Sequence, residues 1–382
     1  MIFPSVGVGQ ELASTDMGSV LFCVEPCEAN SRWSSSLEYV YWYPRRQSLP
    51  PVLTTSSVAS QGILGQPDTH VLYGDGPIEL RHDRLIGLRG TFGYRLASDP
   101  CYQWEGRAFF LERDSSNYTI KPQSRLLLAR PYVRSTDGSP GAEVIAGPLP
   151  DGRVLEGGFN AYTRIEVFGQ EANLLKELHA SEQWQWQGLL GLRFMQMRDR
   201  MDLTGTGWLL PLRDTLYSSA DHFQTFNKFY GGQIGLRAQW QLGQLDVRGA
   251  LSAALGGTDQ EIRTKGTRIS QTPTIKDERP FGLYVLPSNS GQFDRWVLDM
   301  VTECNLEVGY QFGSHLRLSM GYTFLHWLNP VRSYRQVDAI NTNQILTGQP
   351  GNNAPGANHP RIPFRDDFVW LQGFNAGVSL TW

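Results

Sequence analysis

The sequence predicts an all-β protein: a transmembrane, up-and-down antiparallel β-barrel of about ten strands, with short periplasmic turns and long external loops. Three observations predict it. Apolar and polar residues alternate with period two, over segments long enough for the ~9–11 residues of a tilted membrane strand. Long and short connections alternate between those segments, as they do in outer-membrane barrels. Aromatic residues gather at both ends of the apolar rows, where the two interfaces of a bilayer would hold them.

Taken in order, segment 36–43 turns Glu38 inward and carries Tyr43 at its external end. Segment 84–95 places Arg89 inward and Tyr94 at the periplasmic end. In 103–111, Glu105 and Arg107 face inward between Trp104, periplasmic, and Phe110, external. Segment 157–169 reads with Phe159 at the external end and Arg164 and Glu166 inward. The alternation is clearest in 183–196, where Trp184, Trp186, Gly188, Leu190, Leu192 and Phe194 oppose a polar row that includes Arg193. Segment 226–241 runs from external Tyr230 to periplasmic Trp240 with Arg237 inward, and 244–256 adds Asp246 and Arg248. Segment 294–311 carries Trp296 and Tyr310 at its ends and Asp299, Glu303 and Glu307 inward. In 314–327, Arg317 faces inward opposite Leu316, Leu318, Met320, Tyr322 and Phe324. The last segment, 368–382, starts near Trp370; its apolar row Phe374, Ala376, Val378, Leu380 and Trp382 faces lipid and closes against 36–43.

The connections read as long (44–83), short (96–102), long (112–156), medium (170–182), long (197–225), short (242–243), long (257–293), short (312–313) and long (328–367). Greek-key sandwiches mix loop lengths and keep no such rhythm. The medium connection contains "EANLLKELHA", which predicts one or two helical turns. In "YQFGSHLR" the spacing predicts a three-residue hairpin loop of Gln311, Phe312 and Gly313, with Tyr310 opposite Ser314 and Glu307 facing Arg317. A further strand pair within 66–82 or 126–146 would raise the count to twelve and widen the bore.

Composition excludes other classes. A net charge of -3 and the lack of any Lys/Arg run argue against nucleic-acid binding. No apolar run reaches the ~20 residues of a membrane helix. Residues 1–34 have no basic residue before Arg32, and are expected to be disordered or the remnant of an export region, with 35–382 forming the barrel. Cys23, Cys27, Cys101 and Cys304 lack the neighbours of a zinc set; an oxidising compartment allows a disulfide among the first three, and free thiols are the other reading. Cys304 belongs to an apolar row.

No G-x-S-x-G, H-E-x-x-H or phosphate-binding loop is present, and the seven histidines show no ligand spacing. The best hydrolase candidate, His326, lies in the lipid-facing row with no Ser beside it on a neighbouring strand. The expectation is therefore no enzyme, no cofactor and no metal. The inward charges number seven acidic and seven basic, which favours pairing across the lumen over the single-sign constriction of a selective pore. Two functions stay open: a porin or narrow channel with a largely charge-paired lumen, or a non-conducting surface or envelope-structural barrel whose loops bind a partner. Oligomeric state has no signature.

Several stretches carry a family resemblance: "EYVYWYPRRQSLPPVLTTS", "GILGQPDTHVLYG", "LARPYV", "NKFYGGQIGLRAQW", "LPSNSGQFDR", "VGYQFGSHLRLSMGYTFLHWLNPVRSYRQVDAINTNQI" and "FRDDFVWLQGFNAGVSLTW". From about residue 35 onward the chain resembles the putative beta-barrel porin-7 family of bacterial outer-membrane proteins. The resemblance implies an outer-membrane location and supplies no catalytic residues. The terminal Phe374, Val378, Leu380 and Trp382 look like the assembly signal read by the barrel-assembly machinery, which with outer-membrane lipid would be the chain's partner.

Overall fold

A computed structural model of the chain describes residues 31–45, 47–74, 77–78, 84–347 and 358–382. The expectations for the segment before residue 31, and for Cys23 and Cys27, lie outside the described residues. Ten strands pair in chain order, each antiparallel to the next. They are β1 (Trp33–Pro44), β2 (Leu85–Arg95), β3 (Tyr102–Leu111), β4 (Val154–Ala180) and β5 (Trp184–Leu210), then β6 (Leu216–Leu242), β7 (Leu245–Gln271), β8 (Gly291–Phe312), β9 (Leu316–Trp327) and β10 (Val369–Thr381). β10 pairs back onto β1, from Ser34 opposite Thr381 to Pro44 opposite Leu371. The sheet thus closes into an antiparallel ring resembling an outer-membrane barrel, with every ring strand paired on both sides.

Six more strands bring the sheet to sixteen. Asp114–Gln123 continues the line of β3 along the flank of β4. Leu53–Ser56, His70–Tyr73, Leu127–Val133 and Pro140–Pro148 form a separate patch attached at β4, and Lys276–Arg279 pairs with β7. The segments 66–82 and 126–146 do hold strands, but these lie outside the ring and leave its bore unchanged.

Four strands are longer than their apolar rows predict. β4, β5, β6 and β7 each run for 27 residues. The expected helical turns at 170–182 are strand up to Ala180, paired with β3 on one side and β5 on the other. Ladder bonds on both edges override the helix propensity of Leu, Lys and Glu. The expected loop 197–225 is likewise strand apart from residues 211–215.

Along these strands the polarity of the two faces reverses while the pleat does not. On β5 the outward row is Trp184, Trp186, Leu190, Leu192 and Phe194, then Gln196, Arg198, Arg200 and Asp202; the inward row passes from Gln185, Gln187 and Arg193 to buried Met195, Met197, Met201 and Leu203. β6 switches between Phe229 and Tyr230 in the same way. One half of the molecule is apolar outside and polar inside; the half toward the long loops is polar outside with an apolar core.

The reversal corrects three expectations on β4. Phe159 is buried, 2% exposed, and packs in the upper core with Tyr73, Met201 and Phe223. Arg164 and Glu166 lie on the outward row, where Glu166 pairs with both Arg164 and Arg113. The apolar run Phe159, Ala161, Ile165 and Val167 is an inward row, so reading it as lipid-facing inverted the phase of the strand. The β8–β9 hairpin also differs from its expected register. Its three-residue loop is Gly313–His315, and Tyr310 lies opposite Leu318. Gly313 supplies the left-handed residue, with φ 69°.

Candidate functional site

The interior of the ring is layered. Nearest the short turns, Arg237 holds Glu105 at 2.5 Å. Arg317 holds Asp246 at 2.6 Å and Glu307 at 2.7 Å. Arg248 lies 3.1 Å from the same Asp246. The next layer matches three acids to three bases. Arg193 binds Glu171 at 2.7 Å and Glu303 at 2.8 Å; Arg89 pairs with Glu38 and lies 3.6 Å from Glu303; Arg107 pairs with Glu303 and lies 3.8 Å from Glu171. β3 and β8 stand five places apart in a ring of ten, so the Arg107–Glu303 bond crosses the full bore. Gln233 donates to Glu171 at 2.9 Å and Asn375 to Glu38 at 2.8 Å, engaging lone pairs that the guanidiniums leave free.

Above the charges lies a plug of sixteen buried apolar side chains to which every ring strand contributes. Trp42 lies tilted against Phe109 with ring centres 5.3 Å apart, and Trp327 stands edge-on to Phe229 at 6.3 Å. Asp299, expected among the lumen charges, sits at the upper edge of this plug. It accepts a 2.7 Å hydrogen bond from Trp327 Nε1 and one at 3.0 Å from the Asn329 backbone. Glu171 and Glu177 are buried inward acids that the sequence reading missed. Their signal was the continued alternation of Glu171, Asn173, Leu175 and Glu177.

Beyond the plug, the long loops pack into a second core. Arg130 and Asp221 form a fully buried pair at 2.5 Å, with Arg130 lying 4.9 Å from the Tyr284 ring centre. Asp221 also accepts backbone N–H bonds from Leu283, Tyr284 and Val285 at 2.7–3.0 Å. Burial, foremost, pushes the Tyr284 hydroxyl pKa well above its ordinary value, so it acts as a neutral donor to the Pro131 carbonyl at 2.8 Å.

On the outward face, Trp33 lies 4.4 Å from Tyr94 and Trp184 stacks at 5.5 Å on Trp240, toward the short turns with Trp104, Tyr310 and Trp382. Toward the long loops, Tyr43, Phe110, Tyr230 and Trp296 are exposed and Trp370 lies 6.3 Å from Phe324. On β4 the residue in this row is Phe168 in place of Phe159; its ring lies 6.3 Å from Phe194, which lies 5.0 Å from Tyr230. Phe374 and Leu380 lie in the exposed row of β10, Val378 is half-buried in it, and Trp382 follows the strand end, exposed. The Trp382 backbone N–H bonds to the Trp33 carbonyl at 3.0 Å. Cys101 is disulfide-bonded and Cys304 is a free, exposed thiol. Among the described residues no group of three or more His, Cys, Asp or Glu side chains is placed to hold a metal ion.

No curated protein matches the chain. Among solved structures, the outer-membrane protease OmpT of Escherichia coli is similar over 92% of this chain and 97% of its own, at 10% identity and a TM-score of 0.40. The toluene transporters TodX of Pseudomonas putida and TbuX of Ralstonia pickettii are each similar over 92% of this chain and 90% of theirs, with TM-scores of 0.22 at 8% and 9% identity. Residues 33–382 match the family model described as Putative beta barrel porin-7 (BBP7), and the chain belongs to that family of bacterial outer-membrane proteins.

Proposed function

We propose that the protein is a non-conducting, ten-stranded transmembrane barrel whose loop-packed half stands outside the cell as a folded head that meets other molecules. In this reading the short turns face the periplasm and the apolar outward rows contact lipid. The span from Trp184 to Phe194 on β5 supports it. Ten steps of ~3.3 Å, tilted by ~40°, give a band about 25 Å tall, the height of an outer-membrane barrel's apolar girdle. The C-terminal strand, with Trp382 at the periplasmic rim, would be the segment the assembly machinery reads.

The observation that carries the proposal is the apolar plug contributed by all ten strands above the charge layer that crosses the bore. A ring of this size lies near the ~8-strand limit at which side chains fill the interior. A porin or narrow channel with a charge-paired lumen is the alternative, favoured by the family's description and by the polar lower half. Such a channel needs a continuous polar path, which the plug interrupts. We assign no enzymatic role, since His326 projects outward from β9 beside Phe368. Planar-bilayer recording of the purified full chain tests the choice. We expect no stable openings; large, stable openings would overturn the proposal and restore the channel.

A further inference from the structure

The polar half of the bore opens at the short-turn end into a blind cavity of about 330 Å³, at the lower end of the ~300–1,000 Å³ range of small-molecule sites. Its floor is the charge layer. Its wall carries five glutamines, Gln103, Gln185, Gln187, Gln239 and Gln311, each offering amide donors. The guanidiniums there are not equally matched. Arg237 holds Glu105, and Arg317 grips Asp246 through both carboxylate oxygens, at 2.6 and 2.8 Å. Arg248 must share that same carboxylate, 3.1 Å away, and its other acidic neighbour, Glu307, directly opposite in the β7–β8 register, is held by Arg317 at 2.7 Å; the Arg248 Nε has no hydrogen-bond partner of good geometry. Its side chain is 41% exposed into the cavity, whereas Asp246 is 2% exposed. Arg32 and Arg95 line the rim, and among the described residues neither has a carboxylate partner. A dead-end, amide-lined chamber with surplus guanidinium is the chemistry of an oxyanion receptor.

We propose that this vestibule binds an oxyanion, a carboxylate or phosphate group on a small polar molecule. Arg248 is its principal ligand, Arg32 and Arg95 draw it in, and the glutamines hold its polar remainder. The site goes beyond the closed-barrel reading and rests on it only for the compartment it faces, the periplasm. Calorimetric titration of the purified full chain in detergent, with inorganic phosphate and separately with citrate, tests it. Saturable binding that weakens with added salt is expected from at least one of them, and whichever binds identifies the source of the oxyanion. Arg248→Gln should weaken it about tenfold, the loss of one charge-assisted contact. Gln239→Glu is the second variant. Gln239 lies directly opposite Arg248 in the β6–β7 register, so the new carboxylate would occupy Arg248 and abolish binding. No saturable binding of either anion, or binding undiminished in whichever variant folds, would overturn the site. Bilayer recordings report separately on closure of the bore, so the two ideas fail independently.

Discussion

Asp221 joins the head together at a single carboxylate. It is fully buried, bonds Arg130, and accepts three N–H groups from a loop whose first donor, Leu283, lies sixty-two residues downstream. Asp221→Ala would strand Arg130 as a buried unpaired charge, a loss of about 3–5 kcal/mol. We expect protease to cut within 272–290 far faster in this variant while the ring keeps its heat-modifiable gel shift; an unchanged cutting rate would contradict the assignment. Glu143 gives the same half a pH dependence. Burial would raise its pKa, but Arg268 at 2.6 Å and Arg130, with a Ser219 hydroxyl donating at 2.8 Å, overcome this and hold it below the usual carboxylate value. A depressed folded pKa means its stabilisation is full above the unfolded value of ~4.3 and is lost as pH falls through the folded one. Amide exchange across Pro140–Pro148 should therefore be constant above that value, after correction for intrinsic rates, and quicken below it. Neither carboxylate was legible in the sequence, because each lies in a segment that reads as loop and finds its partners through tertiary packing alone.

Between residue and molecule stand the strands, and here the sequence was informative within one solvent and misleading across two. Alternation located some part of all ten ring strands, although on β4 it found 157–169 and assigned the stretch with outward Ala172, Leu174 and Leu178 to a connection with helical turns. It failed also on the upper parts of β4 to β7, where the two faces exchange polarity and, in the transmembrane reading, the surroundings change from lipid to water. Phe159, Arg164 and Glu166 were assigned to the wrong faces for that reason. The reversal predicts position-dependent tolerance along one outward row. Leu190→Arg, at mid-band and 64% exposed, should destabilise by ~2–4 kcal/mol. Thr204→Arg, on the same face above the reversal, should change stability by less than ~0.5 kcal/mol. Guanidinium unfolding in micelles would measure both, and equal costs would remove the lipid boundary from β5. The closing strand gives a second expectation. Deleting Trp382 removes its two-way backbone pairing with Trp33 as well as its ring, whereas Trp382→Phe keeps the pairing. Heat-modifiable protein in cells should fall more for the deletion, and equal levels would count against a role for the strand end in assembly.

For the whole molecule the question is which layer closes it. Charge pairing was the expectation from the seven acids and seven bases assigned to the inward rows, of which only Arg164 and Glu166 turn out to lie on the outward face. The plug was hidden in the same rows. Val40, Trp42, Phe109, Leu111 and Met195 sit at the long-loop ends of segments 36–43, 103–111 and 183–196, and Met197 falls in the stretch expected as loop. In the closed-barrel reading, two seals in series give a sharper expectation than either alone. Arg193→Ala removes one guanidinium from the charge layer, yet Arg107 still touches both carboxylates that Arg193 bound, and the plug above is untouched. That variant should therefore stay closed in planar bilayers. Trp42→Ala with Trp327→Ala removes the two largest fully buried side chains. The void they leave adjoins Asp299, which loses its indole donor, so water can enter where the plug had excluded it. The double variant should show small conductance steps even with every lumen ion pair intact. Openings from Arg193→Ala alone, with the double variant silent, would instead make the charge layer the seal and the plug mere packing beneath the head.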